Sequence, residues 1–184
     1  MHVTLRVRAG LPSLRSPRLF PVVRDALADA QRGTFRVVHF SAQADHLHLL
    51  VEADDKRSLS SGLRGLVIRC ARRINRTLGR EGPLWGDRYH EHTLQSPREV
   101  RSALVYVLHN LHKHHPSLRQ VDRCSSAPWF EGYRDRPPLP ADEACPVRGA
   151  RSWLLRVGWR RHGLIASTEA PRVQRRGLAG DDGR

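Results

Sequence analysis

In Asp45-His46-Leu47-His48-Leu49-Leu50-Val51-Glu52 the apolar residues Leu47, Leu49 and Val51 recur at every second position, with two histidines set between them. Side chains two apart in a β-strand leave on the same face, so this stretch predicts a strand with an apolar side and a side bearing both imidazoles. Just upstream, Thr34 to Phe40 carries Phe35, Val37 and Val38, and only Ser41-Ala42-Gln43-Ala44 separates the two runs. So short a link joins neighbouring antiparallel strands, which makes the pair a hairpin.

The flanks supply what such a sheet needs. Residues 2–8 alternate, with Val3, Leu5 and Val7 on one side and His2, Thr4, Arg6 and Arg8 on the other, another half-buried strand. Residues 18–31 place Leu19, Phe20, Val23, Ala26, Leu27 and Ala30 at helical spacing; Pro21 pushes the start later, and Gly33 ends the run. Residues 58–79 predict a long helix with Ser58 as N-cap, Gly79 as stop, and an apolar stripe through Leu59, Leu63, Leu66, Val67, Cys70, Ala71, Ile74 and Leu78. Gly82-Pro83 marks a turn, and Trp85 to Leu94 reads as a fourth strand. Ser96, Pro97 and Glu99 form a capping box for a helix reaching about His114. The order β-α-β-β-α-β-α predicts an α+β fold: one antiparallel sheet with helices packed on it, close to the ferredoxin-like arrangement.

That plan occupies residues 1–118. Residues 119–168 form a C-terminal extension, with a Pro- and acid-rich connector at 134–148 and a short helix from Ser152 to His162 ended by Gly163; residues 169–184 read as a disordered tail.

Lys and Arg number 32 against 18 Asp and Glu, a net charge of +14, and only Lys56 and Lys113 are lysines. A GC-rich genome also biases a chain toward arginine, but the field remains, and it favours a polyanionic partner. No run of about 18 apolar residues crosses a membrane, and the first residues lack the apolar core of a secretion signal. Cys70, Cys124 and Cys145 are odd in number and widely spaced, which argues against a disulfide framework or zinc ribbon and fits a reducing cytoplasm.

Three groups of residues carry chemistry. Arg69, Arg72, Arg73, Arg76 and Arg80 fall on one face of the 58–79 helix at about 100° per residue. No acid stands between Lys56 and Arg80 to neutralise them within the helix, so the face suits either solvent or phosphate. His46 and His48 are a ready ligand pair for a divalent cation, although His90/His92 and His112/His114 repeat the spacing and two histidines on a polar sheet face give the same pattern. Tyr106 lies off the core stripe Val100, Ala103, Leu104, Val107, Leu108 and Leu111, on a flank with Ser102, His109, Asn110 and Lys113. A phenol near a cation suits a nucleophile; a core aromatic is the ordinary alternative.

Taken in order, "HVTLRV" at 2–7, "DHLHLLVE" at 45–52, "LWGDRYHEH" at 84–92 and "LVYVLHN" at 104–110 resemble the single-tyrosine HUH transposases, most closely the REP-associated tyrosine transposase branch. The likeness covers about residues 1–115. Two positions depart from the pattern: Asp45 stands where Asn is usual, and Asn110 is followed by Leu-His-Lys instead of the common Pro.

The resemblance implies a Mg²⁺ or Mn²⁺ held by His46, His48 and Asn110, with Tyr106 attacking single-stranded DNA to give a 5′-phosphotyrosine. It implies hairpin-bearing DNA as partner, and an active site that is often completed within a homodimer. Arg64, Arg69, Arg72, Arg73, Arg76 and Lys113 would contact the DNA backbone. The residues also fit a relaxase or replication initiator, a domesticated DNA-binding protein that no longer cuts, or a basic RNA-binding protein.

Overall fold

A computed structural model describes residues 1–111, 120–135, 137 and 144–171. Strands β1 (His2–Arg6), β2 (Phe35–Ala42), β3 (His46–Ala53) and β4 (His90–His92) form one sheet in the order β2-β3-β1-β4. Every pairing is antiparallel. Helices α1 (Phe20–Ala28), α2 (Lys56–Leu78) and α3 (Pro97–Leu108) connect and cover it, which is the α+β, ferredoxin-like plan.

The two faces of the sheet carry separate cores. Val3, Leu5, Leu47, Leu49 and Val51 pack with Val23 and Leu27 of α1 and Leu59, Leu63, Leu66 and Ile74 of α2. Leu50 leaves β3 on the other side and packs with Val100, Leu104, Val107 and Leu108 of α3. By alternation His46 and His48 share the Leu50 face, beneath α3. Across β1 the register sets Thr4 opposite His48 and Arg6 opposite His46. A bulge between Val37 and His39 lets Val38 join the α3 side as well, since the extra residue breaks the strict alternation.

Several boundaries differ from the sequence reading. Helix α2 is capped by Asp55, whose carboxylate accepts the Ser58 amide at 2.6 Å, so Ser58 is the third helical residue and not the cap. Pro21 falls in the first turn of α1, where its missing N–H costs nothing. Only His90–His92 of the expected 85–94 strand pairs continuously. Trp85 makes an isolated bridge to Val7, and its indole N–H donates to the Val67 carbonyl at 3.0 Å, turning this segment toward α2. Helix α3 has its capping box, but ends at Leu108 with His109 as C-cap; residues 112–119 lie outside the described residues.

The described part of the C-terminal extension completes the α3 layer. Ala127, Phe130, Tyr133, Leu155, Trp159 and Ile165 share a core with α3. Ser125 bridges Ser41 at the outer edge of β2, and the Ala42 amide donates to the Cys124 carbonyl at 2.8 Å, so this segment covers an otherwise open sheet edge. The helix expected from Ser152 to His162 is split into α4 (Trp153–Arg156) and a 3₁₀ turn (Gly158–His162). A Cβ at position 158 would come within 2.6 Å of the Trp153 ring, so a side chain there would displace that indole. Glu169, at the start of the expected tail, is held by Arg101 at 2.7 and 2.8 Å; residues 172–184 lie outside the described residues.

Candidate active site

Beneath α3 the two β3 imidazoles stand edge to face, ring centroids 4.6 Å apart. Tyr106 reaches them from α3: its hydroxyl is 3.4 Å from His48 Nε2 and the two rings are 4.9 Å apart. That separation is long for a hydrogen bond, a contact more than a strong bond. From Ala103 to Asn110 Tyr106 is the one residue that is not buried, so the phenol is both held and reachable.

Each imidazole is fixed from behind. His48 Nδ1 faces Thr4 Oγ1 at 3.1 Å and His2 Nε2 at 3.3 Å. His46 Nδ1 is 2.7 Å from Asp45 Oδ1, while Arg6 donates from Nε and Nη2 to Asp45 Oδ2 at 3.1 and 3.0 Å. The hydrogen bond with His46, reinforced by Arg6, holds the Asp45 carboxyl below its ordinary value against the cost of partial burial. Burial, with the N-terminal ammonium and His92 nearby, pushes His2 down to about 4, so its ring is neutral near pH 7. Its ring also meets Tyr106 edge-on at 5.7 Å. In the sequence His2, Thr4 and Arg6 carry no site signal of their own, because each sits on the polar half of an ordinary alternating strand. Pairing that half with the polar half of β3 was the available signal.

Asn110 is buried, with 1% exposure, and among the described residues neither its amide oxygen nor its nitrogen has a hydrogen-bond partner. Leaving such a group unpaired costs about 1–3 kcal/mol, a cost that a functional position can carry. Among the described residues no three or more of His, Cys, Asp and Glu gather into a metal cluster. A cation held by the two imidazoles would need an oxygen ligand besides them. Two nitrogens and an amide oxygen fit a divalent ion of the Mn²⁺ or Mg²⁺ kind.

The flank that Tyr106 shares with Ser102, His109 and Asn110 is exposed at Ser102 but closed at its other end. His109 and Asn110 are both 1% exposed, and His109 lies between the Glu169 carbonyl at 2.7 Å and the Tyr133 hydroxyl at 3.2 Å, because the C-terminal extension covers that side. Lys113 lies outside the described residues. Helix α2 packs on the opposite face of the sheet from the histidines, so Arg64, Arg69, Arg72, Arg73 and Arg76 do not line the tyrosine site. Arg64, Arg72 and Arg76 are exposed there and Arg69 is half-buried. Arg73 is paired with Asp29, the C-cap of α1, a neutralisation from another segment that spacing within α2 could not reveal.

The family model described as "Transposase IS200 like" matches residues 22–110. Among solved structures, a REP-associated tyrosine transposase bound to a REP hairpin superposes with a TM-score of 0.57 at 17% identity, covering 82% of this chain and 92% of that one. No curated protein sequence matches the chain. Residues 22–110 are thus similar to the IS200-like transposases, and the chain has the fold of a REP-associated tyrosine transposase.

Proposed function

We propose that this protein is a metal-dependent transposase that cuts and rejoins hairpin-bearing single-stranded DNA through a 5′-phosphotyrosine at Tyr106. The observation that carries the reading is the Tyr106 hydroxyl, 3.4 Å from His48 Nε2 and above a second imidazole on the same strand face. The similar transposase was solved on a REP hairpin, and the same class of DNA is proposed for this chain.

The Tyr106 oxygen attacks a backbone phosphorus in line, and the bond from that phosphorus to the 3′-oxygen breaks. The phenol gives up its proton and the leaving oxygen takes one, so a free 3′-hydroxyl results and no water is consumed. The phosphodiester energy is kept in the tyrosine ester, and attack by another 3′-hydroxyl reverses the step; that is what strand transfer requires. His46, His48 and Asn110 would hold a Mg²⁺ or Mn²⁺, whose charge would stabilise the phosphate under attack. His48 Nε2 serves either as ligand or as partner of the phenol, not both at once, because it has one lone pair. The exposed α2 arginines and Lys113 supply affinity for the backbone without sequence information.

Incubation with a panel of single-stranded hairpins and Mn²⁺ should give a covalent protein–DNA band on a denaturing gel. Tyr106→Phe should abolish that band while binding persists. A band that survives in Tyr106→Phe rules out this nucleophile, and binding without any band in the wild type favours a domesticated DNA-binding protein.

A further inference from the structure

We infer that Asp45 and Arg6 are a positioning pair that keeps the His46 proton on Nδ1 and leaves its Nε2 lone pair toward the tyrosine site. The inference rests on the reading of His46 as a metal ligand. Asp45 Oδ1 lies 2.7 Å from His46 Nδ1, and a carboxylate can only accept, so the hydrogen in that bond belongs to the imidazole. A carboxylate behind a ligating histidine fixes both tautomer and ring orientation and makes the imidazole a stronger donor.

Such a carboxylate carries a cost where the substrate is DNA, because its charge repels a phosphodiester. Arg6 meets that cost. It stands opposite His46 in the β1–β3 register and grips Asp45 Oδ2 with two nitrogens at 3.1 and 3.0 Å. The pair is therefore close to neutral as seen from the DNA, while Oδ1 stays committed to His46. Asparagine at this position would offer an acceptor oxygen without the charge. Asp45 in this chain keeps the acceptor, and Arg6 compensates for what the charge would do.

The test uses the full chain. Nitrogen-resolved NMR of the metal-free protein reads the His46 tautomer, its signals assigned by their loss in His46→Gln. Mn²⁺ affinity is measured beside it. The wild type and Asp45→Asn should hold the proton on Nδ1; Asp45→Ala should move it mainly to Nε2 and bind Mn²⁺ about 10- to 100-fold more weakly. Asp45 is 47% exposed, so the substitution leaves the core intact. Arg6→Ala should weaken hairpin binding, and Arg6→Ala/Asp45→Asn should restore it. An unchanged tautomer in Asp45→Ala overturns the Asp45 role, and failure of the double variant to recover overturns the Arg6 role. If the wild type takes up no Mn²⁺, the metal reading fails, and the tautomer and DNA arms still decide the inference.

Discussion

The Tyr106 hydroxyl and His48 Nε2 stand 3.4 Å apart, facing each other across the gap between α3 and the sheet. A neutral imidazole has one lone pair, so the phenol and a cation compete for it. Tyr106→Phe removes the competitor and nothing a cation needs. Its Mn²⁺ affinity, measured by calorimetry, should equal or exceed that of the wild type. A tenfold loss would make the phenol a ligand and overturn the competition for His48 Nε2.

Asn110 gives a prediction of opposite sign for stability and function. Its amide is buried and, among the described residues, unpaired. Asn110→Leu, close in volume, relieves that group and should stabilise the metal-free protein by about 1–3 kcal/mol. The same change removes the amide oxygen and should weaken Mn²⁺ binding at least tenfold. Thermal melts with and without Mn²⁺ read both effects. A destabilised variant with undiminished Mn²⁺ binding would show that Asn110 is a packing residue.

The C-terminal extension is tied to the sheet by Arg15, which donates to both Asp122 oxygens at 2.9 and 2.8 Å and to the Ala42 carbonyl at 2.8 Å. Asp122 is 1% exposed at its side chain and Arg15 is 22% exposed. Asp122→Ala leaves a guanidinium without its partner and should cost on the order of 3 kcal/mol, the low end for a buried pair because Arg15 still reaches water. Arg15→Met/Asp122→Leu should recover most of the loss in urea unfolding. A cost under about 1 kcal/mol for Asp122→Ala would mean the tie is weak.

The sheet was legible because period-two alternation is a direct image of a half-buried strand. His46, His48 and Tyr106 stood out through the ordered motifs of the resemblance, since spacing alone left His90/His92, His112/His114 and a core aromatic as equal readings, and the structure brings the three together. What was hidden depends on contacts between segments distant in sequence. Asp29 neutralises Arg73 from the C-cap of α1, and Glu169 and Tyr133 enclose His109 from a segment with no readable pattern. His2 and Thr4 behind His48 follow from strand register, which the hydrophobic pattern constrains only to a face. Trp85 left the expected strand because an indole N–H near α2 found the Val67 carbonyl, a choice that no local propensity encodes.

His39 is expected to contribute to the acid sensitivity of the fold. It is half-buried against Phe130, with Nδ1 3.1 Å from Ser126 Oγ, and burial pushes it down to about 4 despite Glu52 nearby. The unfolded chain, with an ordinary histidine near roughly 6.5, takes up the proton first. The stabilisation is therefore complete above about pH 6.5 and is lost as pH falls toward 4, on the order of 1 kcal/mol per pH unit. His2 shifts in the same direction. His39→Gln should be less stable than the wild type at pH 7.5 and lose less between pH 7.5 and 5. Equal losses in the two proteins by urea unfolding would assign the acid sensitivity elsewhere.

Because α2 lies across the sheet from Tyr106, affinity and chemistry should separate by mutation. Arg64, Arg72 and Arg76 are exposed on that helix. If the three contact a hairpin stem, each neutralised phosphate adds about 0.9 to the slope of log affinity against log salt. Arg64→Ala/Arg72→Ala/Arg76→Ala should therefore bind hairpin DNA more weakly at low salt, with a slope smaller by about 2–3, and equally so for stems of different sequence. The rate of adduct formation at saturating DNA should not change, since none of these side chains reaches the tyrosine. An unchanged slope would leave the arginine face to solvent. A fall in the saturated rate would instead mean that DNA gripped behind the sheet is what threads the scissile strand past Tyr106.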